Sequence, residues 1–184
     1  MKWHNKFIPS LYVKSIKEID YNFLKEQGIK ALFFDLDNTL IPYDIDVIPI
    51  DIKEFLEELN KDFKIVVVSN SRKKRVSTAS AILTNIPYVK FSRKPLKFGF
   101  KKALKLSGVK RNEVAAIGDQ MMTDIYGANR MKFKMAILVH PIKQKSDHFL
   151  TRFNRKMENK IIKKIKKNNI DKYNEVLKAY AESK

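Results

Sequence analysis

Ala31-Leu32-Phe33-Phe34-Asp35-Leu36-Asp37-Asn38-Thr39-Leu40 is the stretch that decides the fold. Four apolar residues run into two carboxylates spaced i, i+2, and Asn38-Thr39 follows as a turn signal. A short unbroken apolar run bounded by turn residues reads as a strand buried on both faces, the habit of central strands in parallel sheets. The acids then sit at its carboxyl end, where open α/β sheets bind ligands. Neighbouring side chains alternate along a strand, but once the chain turns at Asn38 both carboxylates can approach one bound group. A plain Asx-turn closing a strand would use the same residues, so this pair needs support from the rest of the chain.

That support comes from repetition. Lys64-Ile65-Val66-Val67-Val68-Ser69-Asn70 is a second β-branched run stopping at small polar residues, and Val114-Ala115-Ala116-Ile117-Gly118-Asp119 is a third that ends in an acid, with Asp124 five residues on. Residues 87–91 form a short strand followed by Ser92-Arg93-Lys94-Pro95, and 135–139 form a last strand before Pro141. Helices are expected over 21–27, closed by Gly28; over 51–60, with Phe55, Leu56 and Leu59 on one face; over 73–83; and over 97–106, with Phe98, Ala103 and Leu104, closed by Gly108. The alternation of strand and helix predicts an α/β fold, a central parallel sheet with helices on both faces. Residues 1–28 carry Trp3, Phe7, Ile8, Leu11, Tyr12 and Val13 among lysines and read as a lead-in that packs on the sheet or touches a membrane interface.

The 184 residues suffice for one domain with a real core, and 44% apolar content with 11% aromatics excludes a disordered chain. The charge is lopsided: 38 Lys plus Arg against 20 Asp plus Glu give +18, which favours acidic partners, whether nucleic acid, an anionic membrane or a phosphorylated substrate. The absence of cysteine removes disulfides, thiolate chemistry and Cys-based zinc sites together, and accords with a reducing cytosol. No signal-peptide core and no apolar run near the ~18 residues of a spanning helix occur, so the expectation is a cytoplasmic protein, soluble or peripheral at the inner face of a membrane. His4, His140 and His148 show no ligand spacing. From residue 143 the composition shifts to a basic helical extension, 143–184, with Phe149, Phe153, Met157, Ile161 and Ile165 at four-residue spacing beside a Lys-rich face, read as core or docking surface on a single domain, 1–184.

Four strands thus end in Asp35 and Asp37, Ser69 and Asn70, Lys94, and Asp119, with Arg93 and Lys97 as competing cations beside Lys94. Gathered carboxylates repel unless a cation joins them, and hard oxygen ligands suit Mg²⁺, held here by Asp35, Asp37, Asp119 and Asp124 together with a substrate phosphate. Asp35 can act as a nucleophile, forming an aspartyl-phosphate. Asp37 can protonate the leaving oxygen and then activate water. Ser69, Asn70 and Lys94 can bind the transferred phosphate, and Lys94 can neutralise both phosphate and aspartate.

Asp35-Leu36-Asp37-Asn38-Thr39-Leu40, Ser69-Asn70, Lys94-Pro95 and Gly118-Asp119-Gln120-Met121-Met122-Thr123-Asp124 resemble, in order and spacing, the four motifs of the haloacid dehalogenase (HAD) superfamily of phosphatases. The Asp-Asn-Thr-Leu continuation, the Gly-Asp-Gln start and Gly127-Ala128-Asn129-Arg130 look like the YqeG-type, IIIA class, as do Phe7-Ile8-Pro9 upstream and Thr151-Arg152-Phe153-Asn154-Arg155 downstream. The resemblance implies a Rossmann-like HAD domain and a Mg²⁺-dependent phosphomonoesterase. Superfamily members acting on small metabolites often carry a cap inserted between the first and second or the second and third motifs. Here those intervals hold little more than a helix each, which implies a capless, open site suited to a bulky substrate or one covered by a partner. Relatives in mitochondria and plastids act on phosphatidylglycerophosphate, so the resemblance implies a lipid phosphate at a membrane surface and a place in phospholipid biosynthesis. The alternatives are a soluble or nucleic-acid phosphate as substrate, or a basic RNA- or ribosome-binding protein that retains the fold.

Overall fold

The computed structural model describes residues 2–71, 83, 85–142 and 149–184. Its strands are β1 (Leu11–Val13), β2 (Ala31–Phe34), β3 (Lys64–Val68), β4 (Tyr88–Val89), β5 (Val114–Gly118) and β6 (Met135–Val139). They pair in the order β1-β6-β5-β2-β3-β4, every pairing parallel. From β2 the chain steps outward through β3 to β4, then crosses back to the other side of β2 and lays down β5 and β6. That reversal opens a crevice between the carboxyl ends of β2 and β5, the topological switch point at which such sheets bind ligands.

The central strands are buried on both faces, and their alternation divides the core in two. Phe33, Val66, Val68, Ala116 and Leu138 face one layer, packed with α3 (Lys97–Ser107), α4 (Tyr126–Met131), α5 (Phe149–Asn168) and a closing helical segment, 170–182. Leu32, Phe34, Ile65, Val67 and Ile117 face the other layer, with α1 (Tyr21–Glu26) and α2 (Ile50–Asp62). Asp20 caps α1 by accepting the Phe23 N–H, and Gly28 and Gly108 take the left-handed conformation that ends their helices.

Several expectations shift. Leu11-Tyr12-Val13 is an edge strand against β6, and Phe7 stacks on Tyr126 at 4.3 Å, so the lead-in packs on the sheet. The 87–91 strand shortens to Tyr88–Val89 because the chain turns out at Phe91, φ +52°. On α3 the buried aromatic is Phe100, whereas Phe98 is 62% exposed. The strict four-residue stripe of the tail does not hold one face: each step of four overshoots a turn by about 40°. Ile161 and Ile165 of that stripe are buried, joined by Glu158 and Ile162, while Met157 is half-buried and Phe153 exposed. The helix expected over 73–83 lies outside the described residues, apart from the buried Leu83. Among the described residues no helix is long and apolar enough to cross a membrane.

Candidate active site

Asp35 follows the last residue of β2 and is still held in the ladder, donating its N–H to the Ile117 carbonyl at 2.9 Å. The chain then turns through Asn38, φ +61°, whose N–H donates to the Ile41 carbonyl while its side-chain oxygen accepts from Tyr43 N–H. Asp119 sits at the equivalent point after β5. A wide π-helical turn, Met121–Ile125, then carries Asp124 back over the strand end, where Asp124 Oδ2 accepts the Gln120 N–H at 3.1 Å. Gly118 makes room for this return: a Cβ built on it would lie 2.6 Å from Asp124 Oδ2.

Lys94 closes the cluster from the far side of the sheet. Its Nζ lies 2.5 Å from Asp35 Oδ1 and 2.7 Å from Asp124 Oδ1, all three side chains being buried. Its backbone is clamped by Asn70, whose Oδ1 accepts the Lys94 N–H at 2.8 Å and whose Nδ2 donates to the Lys94 carbonyl at 3.1 Å. Ser92 adds a 2.6 Å hydroxyl bond to the same Asn70 oxygen. Arg93 and Lys97 point to solvent, so the sequence's three-way choice of cation resolves to Lys94. Thr39 Oγ1 donates to Asp35 Oδ2 at 3.3 Å.

Asp37 turns aside from this group. Its Oδ2 accepts from Ser71 Oγ at 2.5 Å and from Ser69 Oγ at 3.4 Å. The carboxylates that could share a metal are therefore Asp35, Asp119 and Asp124, whose ligand oxygens lie within 4.8 Å of one another; Asp37 does not contribute its carboxylate to that trio. The expectation for Asn70 also changes. Its side chain is committed to holding the Lys94 loop, which makes it a positioning group rather than a direct donor to phosphate.

The electrostatics fit a site prepared for a cation. Burial pushes the Asp35 carboxyl up to about 7 against the pull of Lys94, with Asp124 and Asp37 adding to the rise. Burial likewise raises Asp119, opposed by Arg155, whose guanidinium NH2 stands 2.6 Å from Asp119 Oδ2. For Lys94, burial works to lower the pKa, but the carboxylates of Asp124 and Asp35 outweigh it and hold the ammonium charged. Were all three carboxylates ionised, they would outnumber the cations Lys94 and Arg155 by one in a buried site, and Asp119 Oδ1 is buried without a hydrogen-bond partner among the described residues. A divalent cation would satisfy that oxygen and reverse the charge excess in favour of an incoming phosphate.

Sequence reasoning assigned no role to Ser71, Arg155 or Glu158. Arg155 lay within a quoted motif, but only the docking of α5 brings it to Asp119. Glu158, fully buried, accepts the Met121 N–H at 2.8 Å, the Tyr180 hydroxyl at 2.9 Å and Lys184 Nζ at 2.8 Å, tying the tail to the turn that carries Asp124. An acid inside an apolar stripe was the available signal.

The parallel sheet gathers at its switch point the acids, the Lys94 clamp and the returning Asp124, the segments on which the sequence resemblance to HAD phosphatases rests. The chain belongs to the family described as mitochondrial PGP phosphatase, whose model matches residues 1–143. It is 37% identical over 162 residues to "Probable phosphatase YqeG" of Bacillus subtilis, covering 88% of this chain and 92% of that protein. Over 168 residues it is 29% identical to phosphatidylglycerophosphate phosphatase 1, chloroplastic/mitochondrial, of Arabidopsis thaliana; that match takes in 85% of this chain and about half, 47%, of the plant protein. A solved structure of a HAD superfamily (subfamily III A) hydrolase from Legionella pneumophila aligns with 56% of this chain and 63% of its own, at 21% identity and a TM-score of 0.46.

Proposed function

We propose that the chain is a Mg²⁺-dependent phosphomonoesterase that works through an aspartyl-phosphate on Asp35 and hydrolyses phosphatidylglycerophosphate at a membrane surface. The observation that carries the reading is the buried trio Asp35, Asp119 and Asp124 at the switch between β2 and β5, with Lys94 bridging Asp35 and Asp124. Asp35, Asp119 and Asp124 would hold the Mg²⁺, which would screen the phosphate from the carboxylates when bound.

The Asp35 carboxylate attacks phosphorus, the P–O bond to the leaving group breaks, and Asp37 gives its proton to the departing oxygen. Asp37 then takes a proton from a water that attacks the same phosphorus, the Asp35 acyl-phosphate bond breaks, and inorganic phosphate leaves with both aspartates restored. Lys94 keeps Asp35 aimed and favours its charged form, and its ammonium would neutralise the equatorial phosphate oxygens; the Ser69 hydroxyl, already beside Asp37, can donate to them. Thr39 and Lys94 hold one Asp35 oxygen each, which fixes the carboxylate plane before substrate arrives.

The lipid substrate is supported by the family, by the plant relative's own activity, and by the +18 charge, since each Lys or Arg near an anionic leaflet contributes about 1 kcal/mol. Phosphate release from phosphatidylglycerophosphate in mixed micelles, with and without Mg²⁺ and beside soluble phosphomonoesters, tests it. Selective, Mg²⁺-dependent release from the lipid is the expected result. Asp35→Asn should abolish that release, because an amide is a poor nucleophile. Asp37→Asn should slow it strongly, and less so for a soluble ester with a very acidic leaving group, which needs no proton in the first step. Release from soluble esters alone would keep the chemistry and discard the lipid.

A further inference from the structure

The loop from β4 to α3, together with the first turn of α3, presents two faces. Ser92 and Lys94 point inward and are buried, the first bonded to Asn70 and the second to Asp35 and Asp124. Phe91, Leu96 and Phe98 point outward at 42%, 53% and 62% exposure, interleaved with the exposed cations Lys90, Arg93 and Lys97. Phe91 and Arg93 reach solvent through left-handed backbone, φ +52° and +55°, which bulky L residues adopt only at a cost and which calls for a functional reason. The loop is also held firmly: Ser92 N–H donates to the Ser69 carbonyl, Gly99 N–H to the Ser92 carbonyl and Leu96 N–H to the Arg93 carbonyl. Its apolar tips are therefore displayed on a rigid support a few residues from the lysine that organises the site.

We infer that this loop is a membrane-docking element: Phe91, Leu96 and Phe98 insert between the headgroups of an anionic bilayer while Lys90, Arg93 and Lys97 engage the phosphates around them. Charge complementarity selects the occupant. Three separate apolar tips, each flanked by a cation on the same loop, match a surface that is anionic outside and apolar just beneath. A protein partner of ordinary size would bury a broader, less charged patch, and an RNA offers an exposed leucine no burial. On α5, Phe153 is also 55% exposed, two residues before Arg155, the partner of Asp119. Docked through this loop, the crevice would meet a lipid phosphate in the plane of the headgroups. The substrate side of this inference rests on the lipid-phosphate reading; the docking side does not.

The test is co-sedimentation of the full chain with vesicles of phosphatidylcholine alone and of phosphatidylcholine with phosphatidylglycerol, for the wild type and for a variant combining Phe91→Ser, Leu96→Ser and Phe98→Ser. Turnover of a soluble aryl phosphate is followed in parallel as the check that the site stays folded. The wild type is expected to partition onto the phosphatidylglycerol vesicles and weakly onto phosphatidylcholine. The variant should bind the anionic vesicles roughly tenfold or more weaker, with turnover of the soluble ester unchanged. Wild-type binding by the variant, or no vesicle binding by the wild type, overturns the inference. Loss of vesicle binding only when lysines of α5 are replaced would move docking to the tail and overturn it equally. Vesicle binding through this loop without hydrolysis of phosphatidylglycerophosphate would keep the docking element and discard the lipid substrate, so the two failures are distinct.

Discussion

At the scale of single residues, the site is a problem of charge held out of water. Asp35 is the clearest case, because burial raises its pKa to about 7 while in an unfolded chain it would titrate near 3.9. A carboxyl raised on folding binds its proton better in the native state, so its contribution to stability is complete below the unfolded value and is lost as pH rises through the folded one. Metal-free wild type should therefore lose stability relative to Asp35→Asn between about pH 4 and 7, by a few kcal/mol, and Mg²⁺ should recover it at pH 8 far more than at pH 5. Paired thermal melts across pH, with and without the ion, check this; a pH-independent difference would contradict the account of Asp35. Gly118 supplies a steric counterpart. An added methyl would collide with Asp124, and since β5 is buried and paired on both sides the side chain must yield rather than the strand. Gly118→Ala should cost about 10²-fold in turnover, as ångström misplacements in a site do, with the sheet intact by circular dichroism; near wild-type turnover would remove the packing argument.

The elements differ in how far they could be read in the sequence. The strands β2, β3, β5 and β6 were legible because each is a run of residues buried on both faces, and the first three run straight into a polar residue at the site; Asp35 and Asp119 were legible for that reason, Lys94 and Asp124 through the motifs that carry them. What was not legible depends on contacts distant in sequence. Leu11-Tyr12-Val13 is too short to announce itself as a strand and becomes one only by pairing with β6. Neither Asp37's turn toward Ser69 and Ser71 nor Asn70's commitment to Lys94 follows from spacing, because each is set by a hydrogen bond across loops. The tail is the largest such case. Glu158 sits in the core of α5, where it satisfies the Met121 N–H, Tyr180 and Lys184 and so ties the tail to the π-helical turn. Glu158→Ala, which removes the acceptor from the buried Met121 N–H and Tyr180 hydroxyl and the carboxylate from Lys184, should destabilise by about 3–5 kcal/mol, against about 1–2 kcal/mol for Tyr180→Phe. Urea unfolding of both variants checks the order; equal and small losses would show the tail to be independent of the site.

For the whole molecule, the question is why a basic chain gathers its acids at one crevice. The +18 charge draws anionic surfaces in general, but the crevice gathers carboxylates, and in the proposed mechanism a bound cation precedes the phosphate. The outward face of the Lys94 loop adds apolar tips to that attraction, so steering, docking and chemistry converge on the carboxyl end of the sheet. A rapid-quench turnover with phosphatidylglycerophosphate radiolabelled in its terminal phosphate, presented in mixed micelles with Mg²⁺ and followed by peptide mapping, tests the central claim most directly. The account predicts label on the peptide containing Asp35, appearing before free phosphate, persisting longer in Asp37→Asn and absent from Asp35→Asn. Free phosphate released from the lipid with no label on Asp35 at any time, or release that continues in Asp35→Asn, would contradict it.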